Sequence, residues 1–371
     1  MSQLWQEIRT KPLLWLLVFV PAVLAAEHAF HASGQLLFVL SVLAIVPLAA
    51  LLSHATEQVA ARTGDAVGGL LNATLGNLTE LVIALSALKA GQYMLVKASI
   101  AGAIVTNSLF MLGASLLLGG LRHHTQEFNA ATARLQAGQL FLATIALLVP
   151  SMLVGMAPSE GGAHPLLQQL SLSLAILLAV TYALGLFFSL KTHKEFFGSA
   201  RHDEGAEGDE HEEALWPVAL ALGVLAGVTV LVALVSEVFV ASVQVAAESM
   251  GMSDAFVGFV VVALVGAAAE MASAFSGARK NRLDLSVGIA LGSATQIALF
   301  VAPVLVLASY VLGPTPMSLQ FWPGAMAMMF LATLTVALVC NGGRSAWFLG
   351  VLVLAVYLTF ATTLFLLPPK A

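Results

Sequence analysis

The chain has 371 residues, 59% of them hydrophobic and only 9% charged, with a formal net charge of −5. Water-soluble domains carry about 25% charged residues, so there is too little polar surface here to coat a soluble fold. A single cysteine, Cys340, excludes an intramolecular disulfide and any metal cluster built on several thiolates.

Apolar runs of about 20 residues, the length that crosses a bilayer, recur along the whole sequence. They predict an all-α polytopic membrane protein with about eleven transmembrane helices, at 12–28, 34–56, 66–88, 93–119, 135–157, 165–190, 215–241, 252–277, 283–311, 320–341 and 345–367. The first run follows Arg9 and Lys11 and ends in Ala22–Val23–Leu24–Ala25–Ala26. That pattern also fits a cleavable signal peptide; we read it as a retained, extra N-terminal helix within residues 1–33. Gaps between runs are short except for 191–214. Within that gap, 202–213 holds Asp203, Glu204, Glu207, Asp209, Glu210, Glu212 and Glu213, seven of the chain's 20 acidic residues. This composition reads either as a solvated linker or as a cation-collecting regulatory surface.

Lys and Arg set the orientation. With a cytoplasmic N-terminus, 12 of the 15 fall on inside segments, and only Lys89, Lys97 and Lys370 fall outside. The expected location is therefore an integral membrane one, the inner membrane of a bacterium.

Two stretches align without a gap at an offset of 190 residues: Gly76 with Gly266, Glu80 with Glu270, Lys89 with Arg279, Gly102 with Gly292, and Leu109–Phe110 with Leu299–Phe300. Five spans separate equivalent positions. Five is odd, so the second copy enters the membrane upside down. The expected organisation is a first five-helix repeat at 34–190, an acidic cytoplasmic linker at 191–214 and an inverted second repeat at 215–371. Inverted repeats are a common transporter architecture, with the site near the midplane.

Glu80 and Glu270 each interrupt an apolar run. A carboxylate in hydrocarbon is costly and must face a cavity, a cation or a proton. Around them lie oxygen donors and small residues: Gly76 and Asn77 before Glu80, Ser273 after Glu270, Thr106 and Asn107 after Gly102, and Ser293, Thr295 and Gln296 after Gly292. Gly76 and Gly266 can expose a backbone carbonyl. Hard oxygen ligands suit Ca2+ or another hard cation, not Zn2+ or copper. For any one Ser or Thr, hydrogen bonding between helices is an equal alternative. No nucleotide-binding loop, nucleophile elbow or HExxH motif is present. The expectation is a transporter driven by an ion gradient, with cations, protons and the bilayer as partners, no bound cofactor, no nucleic acid and no enzymatic role. The oligomeric state is left open.

Leu71–Asn72–Ala73–Thr74–Leu75–Gly76–Asn77–Leu78–Thr79–Glu80–Leu81 resembles the first signature of cation/proton exchangers in the cation/calcium exchanger superfamily. The stretch Val265–Gly266–Ala267–Ala268–Ala269–Glu270, with Lys280–Asn281–Arg282–Leu283–Asp284 and Gly292–Ser293–Ala294–Thr295–Gln296–Ile297, resembles the second. The resemblance covers nearly the whole chain. It implies Ca2+/H+ antiport, with Glu80 and Glu270 binding the cation and exchanging protons, and with Asn107 and Gln296 lining the site. The second motif departs from the family pattern. The usual Gly-Asn-Ala-Ala-Glu-His reads Gly266–Ala267–Ala268–Ala269–Glu270–Met271, which removes an amide and an imidazole and bears on ion preference. Rival expectations are Na+ or K+ exchange for protons on the same fold, an intramembrane hydrolase with two carboxylates, and a passive cation channel.

Overall fold

A computed structural model describes residues 2–63, 65–154, 163–192 and 215–367. The seven acidic residues of 202–213 lie outside the described residues, as does most of the expected linker.

The described chain is almost wholly helical. In order come α1 (Ser2–Thr10), a short 3-10 turn (Pro12–Val18) leading into α2 (Phe19–His28), α3 (Gly34–Arg62), α4 (Asp65–Leu75), α5 (Leu78–Lys89), α6 (Tyr93–Val105) and α7 (Leu112–His123). Then follow β1 (Thr125–Glu127), α8 (Ala130–Val154), α9 (Ala163–Phe187), α10 (Val218–Ser249), α11 (Asp254–Gly266) and α12 (Ala268–Arg279). The last elements are α13 (Leu283–Gln296), α14 (Ala302–Leu312), α15 (Pro323–Val339), β2 (Arg344–Ala346) and α16 (Trp347–Leu366). Among the described residues, seven helical rods are long and apolar enough to cross a membrane: Gly34–Arg62, Tyr93–His123, Ala130–Leu153, Leu166–Thr192, Val218–Ser249, Leu283–Leu312 and Trp347–Leu366. Pro12–His28 and Pro323–Val339 are shorter apolar helices. The protein is a helical membrane protein.

Two of the expected spans are not continuous. The pair α4–α5 bends by 42° and the pair α11–α12 by 60°. Gly76 and Asn77 fall in the first break, and Ala267 follows Gly266 in the second. Glycine is about 1 kcal/mol poorer than alanine inside a helix, and asparagine competes with the helix through its own side chain. The halves after the breaks, α5 and α12, are both 12 residues long.

The helices form two compact units. The first comprises Met1–Ser86, Gly185–Gly251 and Val265–Ala269. Here α3 packs along α10, with Phe38 stacked on Phe239 at 5.4 Å. Helix α1 is tied to this pair by a polar knot. One Glu7 carboxylate oxygen lies 2.8 Å from His54 Nε2 and accepts a bond from Trp216 Nε1 at 3.0 Å, while the other lies 3.7 Å from Lys11 Nζ. The Trp216 backbone N–H donates to Gln58 Oε1 at 2.8 Å, and the Arg62 guanidinium donates to the Leu215 carbonyl at 2.8 Å.

The second unit comprises Ala87–Leu184, Met252–Leu264 and Glu270–Ala371. Helix α6 crosses α11 at backbone distance: a Cβ on Gly102 would overlap the Phe259 main chain, and one on Gly258 would come within 2.6 Å of Ala98 Cβ. Gly292, which matches Gly102 in sequence, has open space around it, so the close approach belongs to one copy of the motif only. Two non-helical segments, not expected from the sequence, belong to this unit. β1 pairs antiparallel with β2, with Gln126 opposite Ser345, and the Gln126 amide donates to the Ala278 carbonyl and to Asn281 Oδ1, each at 2.9 Å. The stretch 315–321 is held differently. The backbone N–H groups of Thr315, Met317, Leu319 and Phe321 donate to the hydroxyls of Tyr93 (2.9 Å), Ser309 (2.8 Å), Ser171 (3.0 Å) and Ser151 (2.7 Å). Those hydroxyls come from α6, α14, α9 and α8, and they take the place of a neighbouring strand.

Candidate cation-exchange site

Glu80 is the third residue of α5 and Glu270 the third of α12. Both therefore sit in the first turn of a half-helix, where unsatisfied N–H groups and the helix dipole favour a negative charge. In a straight helix, Asn72 would share the Glu80 face. The 42° bend interrupts that register, and Asn72 is exposed, whereas Asn77 in the break is 2% exposed.

Within the first unit, Glu80 is 8% exposed and its Oε1 has no hydrogen-bond partner among the described residues. Gly266 lies against it: a Cβ there would stand 2.8 Å from Glu80 Cγ and 3.3 Å from Oε1. The carboxylate occupies the space a side chain at 266 would fill. Gly76 is half-buried, and Ala267 is fully buried with only a methyl group to offer.

Within the second unit, the continuous rods α6–α7 and α13–α14 each contain one π-helical turn, Thr106–Met111 and Ile297–Val301. These turns match at the same 190-residue offset. π turns are rare and concentrate at functional sites. Asn107, fully buried in the first, donates from Nδ2 to Ser293 Oγ at 2.8 Å. That bond fixes which way the amide faces and leaves Oδ1 without a partner among the described residues. An amide held this way presents an oxygen, as a hard cation requires. Thr106, also fully buried, donates to the Tyr357 hydroxyl at 3.3 Å. Gln296, at the end of α13, is half-buried, as is Glu270. Ser273 is exposed, and the structure does not gather it with the buried donors. Thr295 bonds back to the Leu291 carbonyl at 2.7 Å, the bland role open to any helical threonine. Tyr357 was not legible in the sequence: a tyrosine in an apolar run carries no mark of which way it faces.

Among the described residues, no three His, Cys, Asp or Glu side chains converge as metal ligands.

The family model for sodium/calcium exchanger proteins matches residues 33–191 and 220–366. The chain belongs to that family. Among its relatives, a Ca2+/H+ antiporter of Aphanothece halophytica is 40% identical over 364 residues, covering 95% of this chain and 96% of the relative. The Ca2+/H+ antiporter ChaA of Bacillus subtilis is 40% identical over 339 residues, covering 91% and 94%. Of solved structures, native YfkE superposes with a TM-score of 0.80 at 35% identity, over 96% of this chain and all of that one. The H+/Ca2+ exchanger CAX shares the fold, with a TM-score of 0.71 at 17% identity over 100% and 90% of the two chains. The similarity is to exchangers of the cation/proton type.

Proposed function

We propose that this protein is a secondary antiporter that expels Ca2+ in exchange for protons, with Glu80 and Glu270 as the carboxylates that bind the cation and take up the protons. The observation that carries the reading is their equivalence: each is the third residue of a 12-residue half-helix that follows a break, at matching places in two repeats. The names of the relatives support Ca2+ and H+ as the exchanged ions. In this reading the chain crosses the membrane eleven times, as an extra N-terminal helix and two inverted five-helix repeats. The N-terminus is cytoplasmic and the membrane is a bacterial inner membrane. Asn77, Asn107, Gln296, Thr106 and the carbonyls of Gly76 and Gly266 complete the oxygen set. Ionised carboxylates hold the cation; protonation neutralises them and favours release. Binding from one side and release to the other follow if the two protonation states favour opposite openings. The acidic segment 202–213 collects cations at the cytoplasmic side.

The test is flux in proteoliposomes bearing a pH gradient, with Ca2+, Mn2+, Na+ and K+ in parallel. Ca2+ movement should follow the gradient, and Glu80→Gln or Glu270→Gln should abolish it in folded protein. Ca2+ flux indifferent to the gradient, or near-normal flux in either variant, overturns the assignment. Ala267 leaves the second break without an amide and so bears on ion preference, and the same panel decides between Ca2+ and a monovalent ion.

A further inference from the structure

The two π turns are braced in the same way from opposite halves of the chain. Phe110 in the turn Thr106–Met111 packs on Tyr357 of α16, with ring centroids 5.2 Å apart. Its repeat mate Phe300, in the turn Ile297–Val301, stacks on Tyr182 of α9 at 5.3 Å. Helices α9 and α16 are each the last of their expected repeat, so the brace is exchanged: each copy's final helix supports the other copy's π turn. Both tyrosines are buried, at 9% exposure for Tyr182 and 3% for Tyr357. Tyr357 adds a second tie, because its hydroxyl accepts from Thr106, the residue beside Asn107.

A π turn carries one residue more than an α turn, so what lies beyond it is rotated by about 100° relative to a regular helix. It is the less favourable turn and persists where its surroundings hold it. Asn107 lies in one such turn and Gln296 immediately precedes the other. Relaxation of either turn to a regular helix would swing these amides away from their present directions while leaving the fold apolar and compact.

Resting on the exchanger reading, we propose that Tyr357 and Tyr182 are positioning residues for cation exchange, holding the two π turns, and through them Asn107 and Gln296, in the register the transported cation requires. Neither tyrosine need touch the ion. Loss of the ring should weaken cation binding more than turnover, and the two sites should respond alike because their roles are equivalent.

The experiment measures initial exchange rates against cation concentration for the full-length parent and for Tyr357→Phe, Tyr357→Leu and Tyr182→Leu. The probe is Ca2+, or whichever of Mn2+, Na+ and K+ the parent moves, so failure of the Ca2+ assignment leaves the tyrosines still tested. The expected result is a KM raised at least fivefold by each Leu variant, with Vmax within twofold of the parent and melting temperature little changed. Tyr357→Phe keeps the ring and should raise KM by about twofold. Leu variants at the parental KM, or with only Vmax and melting temperature reduced, overturn the proposal. Should the Leu variants fail to fold, Tyr357→Phe decides: a parental KM overturns it equally.

Discussion

A methyl group on Gly266 would lie 2.8 Å from Cγ and 3.2 Å from Cδ of Glu80. The group in the way is the far end of a flexible side chain, so Gly266→Ala should fold and push the carboxylate aside. If Glu80 holds the cation, apparent affinity should fall by at least about tenfold, ~1.4 kcal/mol, with expression and melting temperature near those of the parent. Cation titration of exchange rate in the Ala variant checks this; unchanged affinity would mean that the carboxylate's present position is not the working one. The two glutamates stand out in the sequence because a charge inside an apolar run has no cheap explanation. Ser273 is less marked: helical spacing puts it near Glu270, but spacing alone does not say whether a hydroxyl points inward, and it is exposed.

At the level of elements, hydrophobic length, which the bilayer sets, marked eleven spans; among the described residues seven helices are long and apolar enough to cross, or nine if each bent pair is one span. It did not show that two of them are broken or that four, α6–α7, α9 at Phe188–Thr192, α11 and α13–α14, carry π turns. A π turn has no compositional signature, since it is imposed by what packs around it. Helix α1 is an element whose hold on the rest depends on pH. Burial alone would raise the Glu7 carboxyl; the His54, Lys11 and Trp216 contacts overcome that and hold it below its ordinary value of 4.5. A lowered carboxyl stabilises the fold above the unfolded value, and the contribution fades as pH falls through the folded one. Glu7→Gln should therefore lower stability by about 2 kcal/mol near pH 7. The gap in melting temperature between variant and parent should close as the pH drops below 4.5. A gap independent of pH would show that the carboxylate's charge is not what ties α1 down.

Across the whole molecule, the charge pattern and the internal repeat carried most of what could be read in advance. The split of 12 of 15 basic residues onto one set of segments carries the orientation proposed above, and the 190-residue offset pairs α5 with α12 and one π turn with the other. The division into compact units was not legible, because each unit takes segments from both halves of the chain and linear boundaries cannot express that. The acidic run at 202–213 belongs to this scale, since seven negative charges act through their summed field. Its removal, bridged by a Gly/Ser linker, should preserve exchange but raise the cation concentration needed at the cytoplasmic side. The difference should shrink at high ionic strength, where the field is screened. Kinetics identical to the parent at low and high salt would reduce the segment to a tether.

The stretch 315–321 owes four of its backbone bonds to hydroxyls on four different helices, which makes it separable in a way ordinary secondary structure is not. Breaking a rung of a helix or sheet disturbs the backbone on both sides of it. Here a rung can be deleted by removing one oxygen atom. Ser171→Ala should free the Leu319 amide to exchange its proton, Ser151→Ala that of Phe321, and Tyr93→Phe that of Thr315, each leaving the others slow. Deuterium uptake followed residue by residue would show this. Uptake that rises along the whole stretch after any single change would mean that the rungs hold as one unit, and that the stretch opens all at once or not at all.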